Sequence, residues 1–244
     1  MPTADTVYST RFRLPELLER GRDNAISCPL YRSGQLVEPD SGTVSVYDSA
    51  GVAIVNAAAV TITSSIARYT IPAATLSGKA LGEGWRVEWS LELDGVDRLY
   101  RNEAALVRAA AAPPITDLDL FERVSSLNPS TAAPISSLTT YQTFIDAAHV
   151  ELQLWLLNQG RRPWLVLSPA SLRQAYLLLT LALIFEDFQT RLNAAYADQA
   201  RDWRRQYAAE RDSVKLAYDA TDSGQADATR RRAGRPTLWL VGRD

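Results

Sequence analysis

The sequence predicts a two-domain α+β protein: an all-β domain over residues 25–108, an all-α helical bundle over 116–229, and an extended tail over 230–244. Three observations predict it. From Ala25 to Arg108 the chain is a series of short runs rich in β-branched and aromatic residues, each bounded by turn signals. Ala109–Pro114 reads AAAAPP, and its two prolines stop the preceding structure and stiffen a linker over 109–115. Beyond that linker the apolar spacing changes from the period of a strand to that of a helix. With 244 residues, each half is long enough to bury a core of its own.

Residues 1–24 read as an N-terminal arm, in which Pro15 opens one helical turn anchored by Leu14, Leu17 and Leu18 and ended by Gly21. The strand-like runs are AISCPLYR, GTVSVYDS, VAIVNAA, IARYTIP, WRVEWSLEL and VDRLYRNEAALVR. Ser49-Ala50-Gly51 marks a tight turn, and Asp94-Gly95 is a strong two-residue hairpin signal. In WRVEWSLEL, Trp85, Val87, Trp89, Leu91 and Leu93 alternate with Arg86, Glu88, Ser90 and Glu92, as in a strand with one dry and one wet face. Strands of this number and length fit a small immunoglobulin-like sandwich. Cys28 is the sole cysteine, so no inter-sheet disulfide can form and any likeness to that fold is architectural; within its strand it should be a small buried hydrophobe.

In the second half, Thr116-x-x-Asp119 resembles a capping box with a shortened acid and opens a helix through about Ser126. Asn128–Ser137 is a Pro/Ser/Thr loop. Leu138–Phe188 is the most apolar stretch of the chain and predicts a buried helical hairpin. Thr139-x-x-Gln142 caps its first helix, and Tyr141, Phe144, Ile145, Ala148, Leu152, Trp155 and Leu156 form one apolar stripe. Val150, Leu154 and Leu157 lie on the opposite side; a helix apolar on two faces sits inside a core or between subunits, and for a domain this small the subunit interface is the favoured reading. Gly160 stops that helix. After Arg161-Arg162-Pro163-Trp164, Ser168 and Pro169 start the next helix as N-cap and first helical residue. Leu172–Phe185 is apolar nearly all round and is predicted to be the central helix. A last helix over about Ala194–Tyr218 carries a narrow stripe of Tyr196, Trp203, Tyr207, Val214 and Tyr218.

Charge is distributed unevenly. The net charge is −2, but Arg230–Asp244 holds five arginines against Asp244, so the tail is +4 and the remainder −6. A basic tail on an acidic body suggests a docking arm rather than a general nucleic-acid binder. The N-terminus lacks the apolar core of a signal peptide. The longest apolar run, Tyr176–Phe185, is well short of the ~20 residues that span a bilayer. No membrane association is expected, and the protein is expected in a cytoplasm or in a particle assembled there.

Catalytic chemistry finds little support. His149 is the sole histidine, with Asp146 one turn earlier, but no nucleophile turn accompanies them, and a solvated or interface-edge histidine is the simpler reading. A lone histidine without cysteine partners does not build a transition-metal site. Gly82-x-Gly84 lacks the third glycine of a dinucleotide fingerprint and reads as a loop between strands. Asp219–Asp227 has the outline of a calcium loop, but Thr221 and Ser223 stand where carboxylates are wanted and Arg230 takes the twelfth place, so a helix-ending turn is favoured. No catalytic residue, cofactor or metal is therefore expected.

The tail is the most informative segment. Arg230, Arg231, Arg232 and Arg235 can engage carboxylates or phosphates, and Leu238-Trp239-Leu240-Val241 is too apolar for a solvated terminus. Such a peptide suits strand addition or insertion into a partner's groove with Trp239 as anchor, or folding back as an edge strand of its own domain.

From Ile115 onward the order of features resembles the head-tail connector family of tailed bacteriophages, also called adaptor or head-completion proteins. The residues that carry the likeness are Asp146–Glu151 leading into Trp155-Leu156, the Gly160–Trp164 turn, Leu181–Asp187, and Tyr218-Asp219 with Ser223-Gly224 before the basic tail. The resemblance implies a non-enzymatic virion protein, assembled in the host cytoplasm, that forms a homo-oligomeric and commonly twelvefold ring beneath the capsid portal. It implies that Arg230–Val241 docks on the portal, that the far side meets a tail-side connector or tail terminator protein, and that DNA passes through without specific binding. Residues 25–108 are similar in style to immunoglobulin-like domains appended to phage virion proteins. A different phage binding module, with a recognition sandwich and a helical oligomerisation domain as in a baseplate or adhesin component, is the alternative.

Overall fold

The computed structural model describes residues 8–130 and 138–219. The chain forms two compact units whose division falls between Ala110 and Ala111. The first is a β-sheet region and the second an α-helical bundle.

The β region runs β1 (Tyr8–Ser9), β2 (Glu16–Glu19), β3 (Asn24–Arg32), β4 (Gln35–Val37) and β5 (Ser41–Tyr47). It continues with β6 (Ala53–Ala59), β7 (Thr61–Thr63), β8 (Ile66–Ile71), the single helical turn α1 (Ala73–Leu76), β9 (Gly82–Leu93) and β10 (Val96–Val107). One sheet has the order β1-β3-β8-β7, with β4 paired to β3 as a hairpin; the other has the order β2-β10-β9-β5-β6. The predicted alternation of β9 holds: Trp85, Val87, Trp89, Leu91 and Leu93 are all buried, whereas Arg86 is exposed. Those side chains share one core with Ile26, Cys28 and Leu30 of β3 and Ala67 and Ile71 of β8, so the two sheets bury their apolar faces against each other. Cys28 is fully buried, and burial pushes its thiol up to about 12. The β9–β10 hairpin turns on Asp94-Gly95, both at positive φ (54° and 72°), with Leu93 opposite Val96.

Two expectations fail in this region. Residues 14–19 do not form a helical turn in an arm; Glu16–Glu19 is a strand parallel to Ala104–Val107, and Leu18 is fully buried in the core. A single turn ended by Gly21 would make few backbone hydrogen bonds, whereas pairing covers the open edge of β10. Gly82-x-Gly84 is not a free loop. It begins β9 beside an irregularity in the β9–β10 register, and both glycines take positive φ (136° and 85°).

The helical unit contains α2 (Asp117–Arg123), α3 (Gln142–Asn158), α4 (Arg173–Arg191) and α5 (Ala197–Ser213), with 3₁₀ turns at Ser125–Leu127, Pro163–Leu165, Pro169–Leu172 and Ala194–Tyr196. At α2 the Asp119 carboxylate accepts from the Thr116 backbone N–H at 2.6 Å, closing the predicted capping box. The start of α3 differs from expectation. Thr140, not Thr139, receives the Gln142 N–H, and Asp117 of α2 accepts both the Tyr141 N–H and the Thr140 hydroxyl. An acid from a neighbouring helix thus does the capping, which local spacing cannot foretell.

Helix α3 ends as the sequence predicts. Gly160 adopts φ 70°, its N–H donates to Leu157 O, and the Arg161 N–H reaches back to Leu156 O at 2.9 Å, the paired bonds of a Schellman motif. Ser168-Pro169 opens a 3₁₀ turn that runs into α4. Helix α4 is central: Tyr176–Ala182, Ile184, Phe185 and Phe188 are buried, leaving it covered on nearly every side over its middle turns. The last helix is shorter than predicted. It stops at Ser213, and the chain returns extended along Leu165–Leu167, with Leu167 N–H donating to Ala217 O and Asp219 N–H to Leu165 O. Val214 and Tyr218, predicted on the helical stripe, pack on the core from this return strand instead.

Candidate functional site

Four places in the helical unit are candidates: the far face of α3, the last described segment up to Asp219, the His149 network, and a cleft beside α5. On α3 the predicted stripe faces the core, with Tyr141, Ile145, Ala148 and Leu152 fully buried and Leu156 nearly so. Val150, Leu154 and Leu157 lie on the other side of the helix, half-buried and outside the core cluster. Three neighbouring apolar side chains on one face of a rigid helix form a surface that gains from being covered.

That helix is locked in place from the outside. Arg204 of α5 donates to Glu151 of α3 at 2.7 Å and to both carboxylate oxygens of Glu186 of α4 at 2.6 and 3.0 Å. The bidentate pairing with Glu186, followed by the bond to Glu151, raises the guanidinium above its already high pKa, so it stays charged. One side chain therefore fixes three helices relative to each other.

The last described segment, up to Asp219, is also held in place. Tyr218 accepts the Arg162 N–H on its hydroxyl at 2.8 Å, and Asp219 is buried. The chain thus leaves the described residues from an anchored strand beside the Gly160–Trp164 turn. Arg230, Arg231, Arg232, Arg235, Leu238, Trp239, Leu240 and Val241 lie outside the described residues. So does the acidic loop beyond Asp219.

His149 is partly exposed, and Asp146 does not orient it. Its ring lies half-buried against Tyr176, with Nδ1 2.7 Å from the Tyr176 hydroxyl and Nε2 2.5 Å from the Gln153 amide. Asp146 is engaged by Gln142 instead, at 2.8 Å. Burial lowers the imidazole pKa, and the nearby Asp146 charge opposes this only partly. The network joins α3 to α4. Sequence spacing suggested Asp146, because Tyr176 and Gln153 become neighbours of the ring only once the hairpin closes.

Between α2, α4 and α5 lies an open cleft of about 470 Å³, floored by Phe185, Tyr196 and Trp203 and edged by Gln199, Asp202 and Val124. The stacking of Phe185 on Trp203 at 6.5 Å and the placement of Arg123 over the Trp203 ring at 5.7 Å make its floor a rigid aromatic surface. Among the described residues no group of three or more His, Cys, Asp or Glu side chains is arranged to hold a metal ion, and no helix is long and apolar enough to cross a membrane. Neither a protein-family model nor a curated protein matches the chain.

Proposed function

We propose that the chain is a non-enzymatic structural protein of a tailed-phage virion: a head-tail adaptor that forms a ring, docks on the portal through its C-terminal tail, and joins capsid to tail around the DNA channel. The observation that carries this reading is the far face of α3. Val150, Leu154 and Leu157 lie together, partly exposed, on the side of α3 away from the core, and their chemistry suits a contact repeated between copies. On this reading the two-sheet domain is an immunoglobulin-like accessory, and the acidic body spares the passing DNA a tight grip. A tail-side connector or tail terminator protein then meets the face opposite the portal.

Light-scattering mass and negative-stain images of the purified chain test the ring. Rings are the expected result, and Val150→Glu with Leu154→Glu should give folded monomers. If the double variant assembles as the natural sequence does, the α3 face is not the subunit contact.

A further inference from the structure

One end of the β region carries a polar site between its two sheets. On β10, the partners of the inward residues Leu91, Trp89 and Val87 are Arg98, Tyr100 and Asn102, so these three also face inward. On β3, the inward row Ile26, Cys28, Leu30 continues to Arg32, whose β1 partner is Tyr8. Arg98 and Tyr100 from one sheet therefore meet Arg32 and Tyr8 from the other beside the Asp94-Gly95 turn. The guanidinium carbon of Arg98 lies 5.0 Å, and that of Arg32 5.9 Å, from the centroid of the Tyr8 ring. The Tyr8 hydroxyl donates to the Asp94 carboxylate at 2.5 Å.

Two features make this more than a packing contact. Arg98 Nε and the Tyr100 hydroxyl are buried donors with no partner among the described residues, two positions apart on one strand face. A buried donor left unpaired is destabilising, and an acceptor that reached both would relieve the two together. The second feature is charge. Arg32 and Arg98 stack on an aromatic ring rather than pairing with a carboxylate among the described residues, and Asp94 is the one acid bonded within the group. The balance of two cations against one anion is +1.

We propose that this end of the β region is a binding site for a single carboxylate group, with Arg98 and Tyr100 as the hydrogen-bond donors, Arg32 as a second positive charge and the Tyr8 ring as a flat wall. A monoanion neutralises the site; a phosphate dianion beside Asp94 would overcharge it. Burial holds the Tyr100 phenol above its ordinary pKa, so near neutral pH it keeps the proton it donates. The carboxylate can come from an acidic side chain of a peptide or from an acidic sugar. Nothing in this site depends on ring formation or on the tail.

The test is a nuclear magnetic resonance titration with sodium acetate, at ionic strength held constant with sodium chloride, of the ¹⁵N-labelled full-length chain carrying Val150→Glu and Leu154→Glu, so that ring formation does not broaden the spectrum. The expected result is saturable shifts of the Arg98 Nε–H and of the backbone amides of residues 96–102. Tyr100→Phe and Arg98→Gln should each weaken the apparent affinity about tenfold or more, and Arg32→Gln, at an exposed position, should weaken it with an unchanged melting curve. Sodium glucuronate and N-acetylaspartate amide, run in parallel, separate a sugar from a peptide source by which binds more tightly. Shifts that rise linearly without saturating, an equal response to phosphate, or a response that survives both Arg98→Gln and Arg32→Gln would overturn the proposal.

Discussion

Asn24 carries three hydrogen bonds across one turn: its Oδ1 accepts from Glu19 N–H at 2.6 Å, and its Nδ2 donates to the carbonyls of Glu19 and Arg22 at 2.9 and 2.8 Å. These bonds clamp the reversal between β2 and β3, so Asn24→Ala should destabilise the β region by about 2 kcal/mol, measured by urea unfolding. A cost below a few tenths would mean that water replaces the amide without loss. His149 makes a prediction of opposite kind. Because burial lowers its pKa in the folded state, the unfolded chain binds the proton more readily. Its contribution is therefore intact above the ordinary value of 6.5 and is lost as pH falls below it. The helical unit should melt at lower temperature as pH drops from 7 to 5, and His149→Gln should flatten that dependence. Neither residue's role was legible in the sequence, since each depends on partners that other segments bring to it.

At the scale of elements, close approach and handedness decide. A methyl group added to Gly42 would lie 2.4 Å from Leu91 Cδ2 and 2.8 Å from the Ser90 carbonyl, across the β5–β9 pairing. Gly42→Ala should therefore cost about 1–3 kcal/mol by calorimetry, although a strand glycine ordinarily gains from the change. At the end of α3, Gly160→Ala forces an L-residue to φ 70° and should cost about 1–2 kcal/mol, seen as a lower melting temperature of the helical unit alone. Elements written in local pattern were readable: β9 from its alternation, the Asp94-Gly95 hairpin from its turn residues, the end of α3 from Gly160, α4 from its all-round apolarity. Those set by distant partners were not. Leu14–Glu19 reads as a helical turn until β10 offers an unpaired edge, and Thr139 looks like a cap until Asp117 takes that work. Val214–Tyr218 continued the helical stripe in spacing, yet the backbone is extended there because Leu165–Leu167 supplies strand partners. Arg98 escaped notice for a related reason. The apolar residue of that stretch, Leu99, is the exposed one (54%), so the sequence pattern points the wrong way.

At the scale of the whole molecule, the two cores share no residue: one gathers Leu18 through Leu106, the other Ile115 through Tyr207. Trp89→Ala should lower one calorimetric transition, by about 3–5 kcal/mol in stability, while the helical transition stays in place. The boundary at the alanine-proline linker was legible because composition and period change together there. The proposed function rests on a resemblance in the order of helices and turns, and the residues expected to dock, Arg230–Val241, lie outside the described residues. Docking on the portal is assigned to the tail, so the tail gives the most direct test of capsid–tail joining. The most direct measurement compares capsid–tail joining and portal binding for the full chain and for a chain ending at Thr229. The expected result is a folded truncated protein that no longer binds the portal or joins capsids to tails. Normal joining by that truncated chain would contradict it.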